Sequence, residues 1–205
     1  MVPLTLAVAT DALLKNEFDV VRKSALTHPL WIREHLNVRA FDHPDIDTWR
    51  NNLKGIRVNW KASDIEIFGA VDDLWINNDT RELHVVDYKS TSKQGDPTIE
   101  GGFGDSYKRQ MEIYQWLLKT SGFNVSPIGY FLYVNGKKQG GFYDGHLVGN
   151  MKFETNIIAY KGDTSWVKKT IADAIECLNG AQVPKSGDDC DSCRYFEERS
   201  LILPS

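Results

Sequence analysis

The chain has little cysteine, no long apolar run and no surplus of positive charge. Three cysteines, Cys177, Cys190 and Cys193, stand in 205 residues. That odd number argues against a disulfide framework and for a reducing compartment. No stretch approaches the roughly 18 to 20 apolar residues that a membrane span needs, and Met1 to Thr10 lacks the basic segment of a secretory signal. A membrane partner is therefore not expected, and a cytoplasmic location is. The net charge is −4, so the electrostatic signature of a high-affinity passive nucleic-acid binder is missing. No internal repeat or low-complexity tract interrupts the chain, and a single domain over 1–205 is expected, with 181–205 as a C-terminal tail. What is present suffices for a sizeable core: 41% of residues are hydrophobic and 11% aromatic, which argues for a folded globule and against disorder.

Residues 65–90 organise the rest. They read as two β-strands joined by a polar turn at Asn77 to Thr80. In the second strand Val85, Asp87 and Lys89 share one face while Val86 and Tyr88 take the other. Asp72 closes an equally apolar first strand, after Ile65, Ile67, Phe68, Ala70 and Val71. Charges are depleted in strands and costly in a core unless they are paired or bound to a metal. Two carboxylates and a lysine on paired strands can hold a divalent cation and orient an attacking water. The plain alternative is a structural Asp87–Lys89 ion pair, with Asp72 or Asp73 opening a turn.

Around this stretch, residues 4–26 form a helix with Leu6, Leu13, Leu14, Phe18, Val20, Val21 and Ala25 on one side and Lys15, Asp19, Arg22 and Lys23 facing away. Glu17 falls near the middle of the apolar arc and Asp11 at its edge; Glu17 either finds a partner or leans out to solvent. Residues 27–52 are irregular apart from a short helix within 45–52. His28, His35 and His43 read as surface or capping residues in preference to ligands. Residues 56–62 alternate as a strand expected to pair with the motif strands, giving three antiparallel strands. The glycine-rich stretch after Lys89 reads as a loop beside the site, either admitting substrate or serving as a connector. Residues 105–120 make the most regular helix, with Tyr107, Gln110, Met111, Tyr114, Leu117 and Leu118 on one face, and Gln110 and Tyr114 able to reach one spot as i,i+4 neighbours. Residues 127–134 read as a buried strand, Asn135 and Gly136 as a hairpin turn into a strand near Gly140 to Asp144, and 152–160 as another strand. Asp163 or Thr164 is expected to cap a helix ending at Gly180. The fold class is α/β, a mixed central β-sheet flanked by helices and antiparallel along the motif strands.

Gly69-x-x-Asp72, followed by Val85-Val86-Asp87-Tyr88-Lys89-Ser90 and then by Gln110-x-x-x-Tyr114, resembles the PD-(D/E)XK nuclease superfamily. The look is closest to its RecB-like branch, which includes the iron–sulfur exonucleases associated with CRISPR adaptation. Residues 64–116 carry the resemblance. It implies a restriction-endonuclease-like core and a metal-dependent DNA nuclease, in exonuclease form. Mg²⁺ or Mn²⁺ would be held by Asp72, Asp87, the Tyr88 carbonyl and Glu17, with Asp11 in reserve because the histidine usual in this branch is missing from the first helix. Lys89 would orient the water, Gln110 and Tyr114 would support the site and the DNA, and Lys108 and Arg109 would meet phosphates. DNA, as single strands or ends, is the implied partner, with other DNA-processing proteins beside it. Cys190-x-x-Cys193 is half of a metal site; without further partners no iron–sulfur cluster or zinc is expected, unless Cys177 joins or upstream cysteines are missing. Two rival readings are a catalytically inactive nuclease-fold DNA-binding or scaffold module and a metal-dependent hydrolase of a non-nucleic substrate.

Overall fold

The period-two alternation in residues 83–91 builds the centre of the sheet. The computed structural model describes residues 5–24, 26–60, 64–143, 145 and 148–202, and the chain divides into two compact units, 1–164 and 165–205. In the first unit, β5 (Leu83–Thr91) lies between β4 (Asp73–Asn77) and β6 (Ile128–Gly136), with β1 (Val38–Ala40) and β7 (Phe153–Lys161) at the edges. The β5 and β6 strands run parallel and the other neighbours antiparallel, so the sheet is mixed. The polar turn of the β4–β5 hairpin is held by Asn77, whose side-chain oxygen accepts from the backbone N–H groups of Asp79 and Thr80 at 2.9 Å.

Alternation along β5 and β6 divides the core between the two faces of the sheet. Val85, Phe131 and Tyr133 pack with Met111, Leu117 and Leu118 of α4 (Gly104–Thr120). Val86, Tyr88, Tyr130 and Leu132 pack with Phe18 of α1 (Thr5–Ser24) and with Leu30 and Trp31 of α2 (Pro29–Arg33). Burying each large side chain contributes about 1.5–3 kcal/mol. His28 caps α2, its Nδ1 accepting from Leu30 N–H at 3.1 Å, and His43 accepts from Asp45 N–H ahead of α3 (Ile46–Trp49). In the second unit α5 (Val167–Asn179) ends at Gly180, and α6 (Asp191–Ile202) occupies what the sequence suggested was a tail. Among the described residues no helix is long and apolar enough to cross a membrane.

Several expectations require correction. The first motif strand is broken: β3 (Glu66–Gly69) pairs antiparallel with β2 (Ile56–Asn59) in a separate two-stranded sheet, and the main sheet resumes at Asp73. Asp72 thus sits immediately before β4, and β1 takes the third antiparallel position expected of 56–62. Residues 61–63 of that stretch lie outside the described residues. Asn135 and Gly136 are not a turn but the end of β6, paired with Glu154 and Phe153. The Asn135 side chain is buried and bonds Lys93 N–H at 3.1 Å and the carbonyls of Lys93 and Gly95 at 3.2 Å. The strand expected near 140–144 is reduced to an isolated Tyr143–Gly149 bridge, and Asp144 itself lies outside the described residues. The N-cap position of α5 is Trp166, whose side chain makes no capping bond, and not Asp163 or Thr164.

The first helix is turned relative to expectation. Leu6, Leu13 and Val20 are exposed, while Lys15, Phe18 and Arg22 face inward with Asp11 half-buried beside them. This 11-15-18-22 stripe is a helical face of alternating three- and four-residue steps. It escapes a purely apolar reading because its inward charges are neutralised by acids of the sheet. Leu4 and Ala25, also assigned to this helix from sequence, lie outside the described residues.

Candidate active site

Asp72 and Asp87 come together where β4 begins and β5 passes beside it. The Tyr88 backbone N–H donates to Asp72 Oδ2 at 2.8 Å, fixing one carboxylate against the strand that carries the other. Asp87 is only 2% exposed, and its Oδ2 is in ion-pair contact with the Lys89 ammonium on the same strand face. Burial pushes the Asp87 carboxyl up to about 6; Lys89 pulls it down and the Asp72 charge adds to the rise. Asp72 is also raised by burial, against the Tyr88 N–H and the Lys15 ammonium, with Asp11 adding to the rise. A buried acid and a half-buried one that repel each other form a place where a cation is favoured.

The covering helix α4 holds Lys89 in place. Lys89 Nζ donates to Gln110 Oε1 at 3.3 Å and lies 4.5 Å from the centre of the Tyr107 ring. Gln110 Nε2 donates in turn to the Tyr114 hydroxyl at 2.8 Å. The amide is thus oriented at both ends, with oxygen toward the lysine and nitrogen toward the tyrosine. Burial pushes the Tyr114 hydroxyl up to about 12, Gln110 opposing and the charges of Asp87 and Asp72 reinforcing the rise, so it stays a neutral phenol. Asp87, Lys89, Gln110 and Tyr114 form one connected chain.

Gly69 explains the spacing Gly69-x-x-Asp72. A Cβ at this position would lie 2.8 Å from Tyr114 Cε1 and 3.1 Å from Leu117 Cδ1, so the β3 backbone is pressed against the α4 face that carries Tyr114. Gly69→Ala is expected to cost about 1–3 kcal/mol by overpacking. In a Tyr114→Ala background, where the ring is gone, that cost falls. Thermal unfolding of the two singles and the double checks this, and a cost unchanged in the Tyr114→Ala background contradicts the ring contact.

Of the remaining sequence candidates, Glu17 is not brought to the pair. Its side chain is 58% exposed and bonds His28 Nε2 at 2.8 Å. The turned helix presents Asp11 instead. Lys15 links Asp11 Oδ2 at 2.9 Å to Asp72 Oδ1 at 3.6 Å, and the Asp11 charge is felt by both Asp72 and Asp87. Lys108 is tied to Glu100 at 2.9 Å, and Arg109 donates to Ser106 Oγ at 3.3 Å. The Tyr88 side chain points to the opposite face of the sheet, where its hydroxyl donates to Asp73 Oδ2 at 2.9 Å. Cys190 and Cys193, in the second unit, are free thiols, as is Cys177; the backbone N–H of Cys193 lowers the Cys190 pKa. Among the described residues no group of three or more His, Cys, Asp or Glu side chains is placed to hold a metal ion.

Sequence reasoning missed the support beneath Asp72. Asp73 is fully buried and accepts from Arg22, from Arg50 at 2.9 Å, from Tyr88 OH at 2.9 Å and from its neighbour's Leu74 N–H at 2.8 Å. Both arginines also reach Asp19 of α1, Arg50 at 2.7 Å, and Thr10 Oγ1 meets Ser90 Oγ at 2.5 Å. The available signal was the pair of adjacent acids: extended backbone sends neighbouring side chains opposite ways, so Asp72 meets the Tyr88 N–H and Lys15 while Asp73 is buried against Arg22 and Arg50.

A mixed sheet with an acid at the start of one strand, Asp-x-Lys on its neighbour and Gln-x-x-x-Tyr on the covering helix defines a restriction-endonuclease-like fold. The chain belongs to the PD-(D/E)XK nuclease superfamily, whose family model matches residues 5–197. No curated protein and no solved structure matches it.

Proposed function

We propose that the protein is a metal-dependent nuclease that hydrolyses DNA phosphodiester bonds, with Asp72, Asp87 and Lys89 as its catalytic residues. The observation that carries this reading is the half-buried Asp72 set beside the buried Asp87, with an ammonium already seated on Asp87. Exonuclease action on DNA is the form that the motif resemblance implies.

The residues fit Mg²⁺ or Mn²⁺. The donors are oxygen atoms, and the two neighbouring carboxylates repel one another. Mg²⁺ commonly takes one or two carboxylates and completes its shell with water and substrate phosphate, so a third acidic ligand is not required. Asp72, Asp87 and the Tyr88 carbonyl would hold the ion, and Asp11 is linked to Asp72 through Lys15. When bound, the ion supplies a water of lowered pKa and stabilises charge on the phosphate oxygens. Lys89, held by Gln110 and Tyr107, places its ammonium where charge builds on the phosphate in the transition state. Tyr114 fixes Gln110, and Gln110 fixes Lys89.

The pH dependence of metal binding tests the reading. A carboxyl must lose its proton to bind a cation, so Mn²⁺ affinity should be nearly level from about one pH unit above the Asp87 pKa of about 6. Below that it should fall by up to about tenfold per pH unit as Asp87 takes up a proton. The stability linkage has the same origin. Because the folded pKa of Asp87 is raised above 3.8, its contribution to stability in the metal-free protein is fully present below that value and is lost as pH rises through about 6. Mn²⁺ should reverse that loss. Calorimetry across pH 5–8 on the parent and on Asp87→Ala checks both points, and equal Mn²⁺ binding by the two proteins would remove the site.

A further inference from the structure

Beyond the two acids, the carboxyl ends of the parallel strands β5 and β6 open into a basic groove. The end of an open sheet's parallel strands is the usual place for a ligand crevice. A cavity of about 760 Å³ is lined there by Lys93, Lys137, Lys138 and Lys152, with Glu154 as the one acid among the described lining residues. Lys137 pairs with Glu154 at 2.6 Å, while Lys93, Lys138 and Lys152 are exposed and have no ion-pair partner among the described residues. In a chain of net charge −4, four lysines against one glutamate make a local reversal of sign.

The floor is built. Asn135 straps Lys93 and Gly95 onto β6, Ser92 Oγ donates to the Gly136 carbonyl at 2.8 Å, and Lys137 N–H bonds the Lys152 carbonyl at 2.8 Å. The groove continues into a second cavity of about 590 Å³ that shares Lys137, Lys138 and Lys152 and adds Phe142. Phe142 is 63% exposed and Tyr143 66%, with ring centres 5.3 Å apart in an edge-to-face arrangement. The Phe142 ring is set against Gly149, where a Cβ would lie 2.2 Å from Cε1. A supported aromatic ring left in water beside unpaired lysines has the chemistry of a base-stacking platform next to phosphate contacts.

We propose that this groove binds single-stranded nucleic acid, its lysines on the phosphates and Phe142 with Tyr143 on unstacked bases, and leads the strand to Lys89. Ser92 follows Lys89 by three strand residues, about 10 Å, and Lys89 is paired with Tyr133, three residues before Gly136. The groove therefore begins about three stacked nucleotides from the site. The path to Lys89 rests on the nuclease reading; binding in the groove does not.

The test is fluorescence anisotropy of the full chain with labelled dT20, rU20 and a 20-base-pair DNA duplex in EDTA, over a range of salt. Lys138→Ala/Lys152→Ala should weaken dT20 binding about tenfold at low salt and shallow the log–log salt dependence by about 1.4. Phe142→Ala/Tyr143→Ala should weaken dT20 binding at least fivefold, with the salt dependence and duplex binding unchanged. Comparison of dT20 with rU20 shows which strand the groove favours. A parent that binds neither strand, or lysine variants that bind as the parent does, overturns the groove; aromatic variants that bind as the parent does overturn the single-strand preference. Cleavage in Mn²⁺ separates the two claims. Binding through the groove without cleavage defeats the nuclease reading alone, and cleavage unaffected by either double substitution, with unchanged binding, defeats the groove alone.

Discussion

Lys89→Ala is expected to lower Mn²⁺-dependent turnover by about 10²–10³-fold, the range seen when one preorganised donor to a developing charge is removed, while Mn²⁺ binds as tightly as before or more tightly. In the metal-free protein the Lys89 ammonium neutralises Asp87 and lowers the pKa of both acids. It therefore occupies the position of a counter-ion and competes with any added cation. Removing it leaves Asp87 without its counter-ion, while Asp72 keeps Lys15, so the attraction for Mn²⁺ is stronger but no ammonium remains for the transition state. A lysine that served only as a structural counter-ion would behave differently: its loss would cost stability, and the protein that remained folded would turn over as the parent does. Single-turnover rates and calorimetry on the same two samples read both quantities. Turnover within a few-fold of the parent would assign Lys89 a structural role.

Asp73→Ala is expected to destabilise the protein by about 3–5 kcal/mol, the cost of breaking a buried ion pair from one side. For a chain of this size that lowers Tm by about 6–20 °C. Burial opposes the charge of Arg50, but Asp73 and Asp19 outweigh it and hold its pKa above the usual value. Without Asp73, Asp19, partly exposed, is the acidic partner left to Arg22 and Arg50 among the described residues, and the Tyr88 hydroxyl loses its acceptor. Asp73→Asn should cost less, since it keeps an acceptor for Tyr88 and Leu74. A thermal melt of Asp73→Ala within about 2 °C of the parent would show that the cluster contributes little to the attachment of α1.

Where one local pattern decided the outcome, the sequence was readable. Alternation along 83–91 put Asp87 and Lys89 on one face and Tyr88 on the other, and the four-residue spacing of Gln110 and Tyr114 let Tyr114 hold the Gln110 amide that meets Lys89. The pattern failed where partners distant in sequence decided instead. On α1 the hydrophobic wheel pointed Arg22 outward, yet Arg22 faces in because Asp73, fifty-one residues later, lies buried opposite it. The same rotation carried Glu17 away from the acids and brought Asp11 toward them. Asn135 and Gly136 have the composition of a hairpin turn, but Asn135 satisfies three backbone groups of the segment after β5, and β6 runs on through both. The break between Gly69 and Asp73 was hidden because the apolar run Ile67, Phe68, Ala70 and Val71 continues across it while the chain passes from one sheet to the other.

The central claim is that Asp72 and Asp87 together hold a divalent cation for phosphodiester hydrolysis. Its most direct measurement is cleavage of end-labelled single- and double-stranded DNA, and of RNA, by the parent and by Asp87→Asn in Mg²⁺ and in Mn²⁺. The asparagine is nearly the same size and leaves the backbone bond from Tyr88 to Asp72 in place, so loss of fold should not account for loss of activity; a thermal melt of each sample establishes that. The account predicts cleavage by the parent that requires the added metal and falls below detection in Asp87→Asn. Cleavage by Asp87→Asn at the parent's rate, or no cleavage of any of these substrates by the folded parent in either metal, would contradict it.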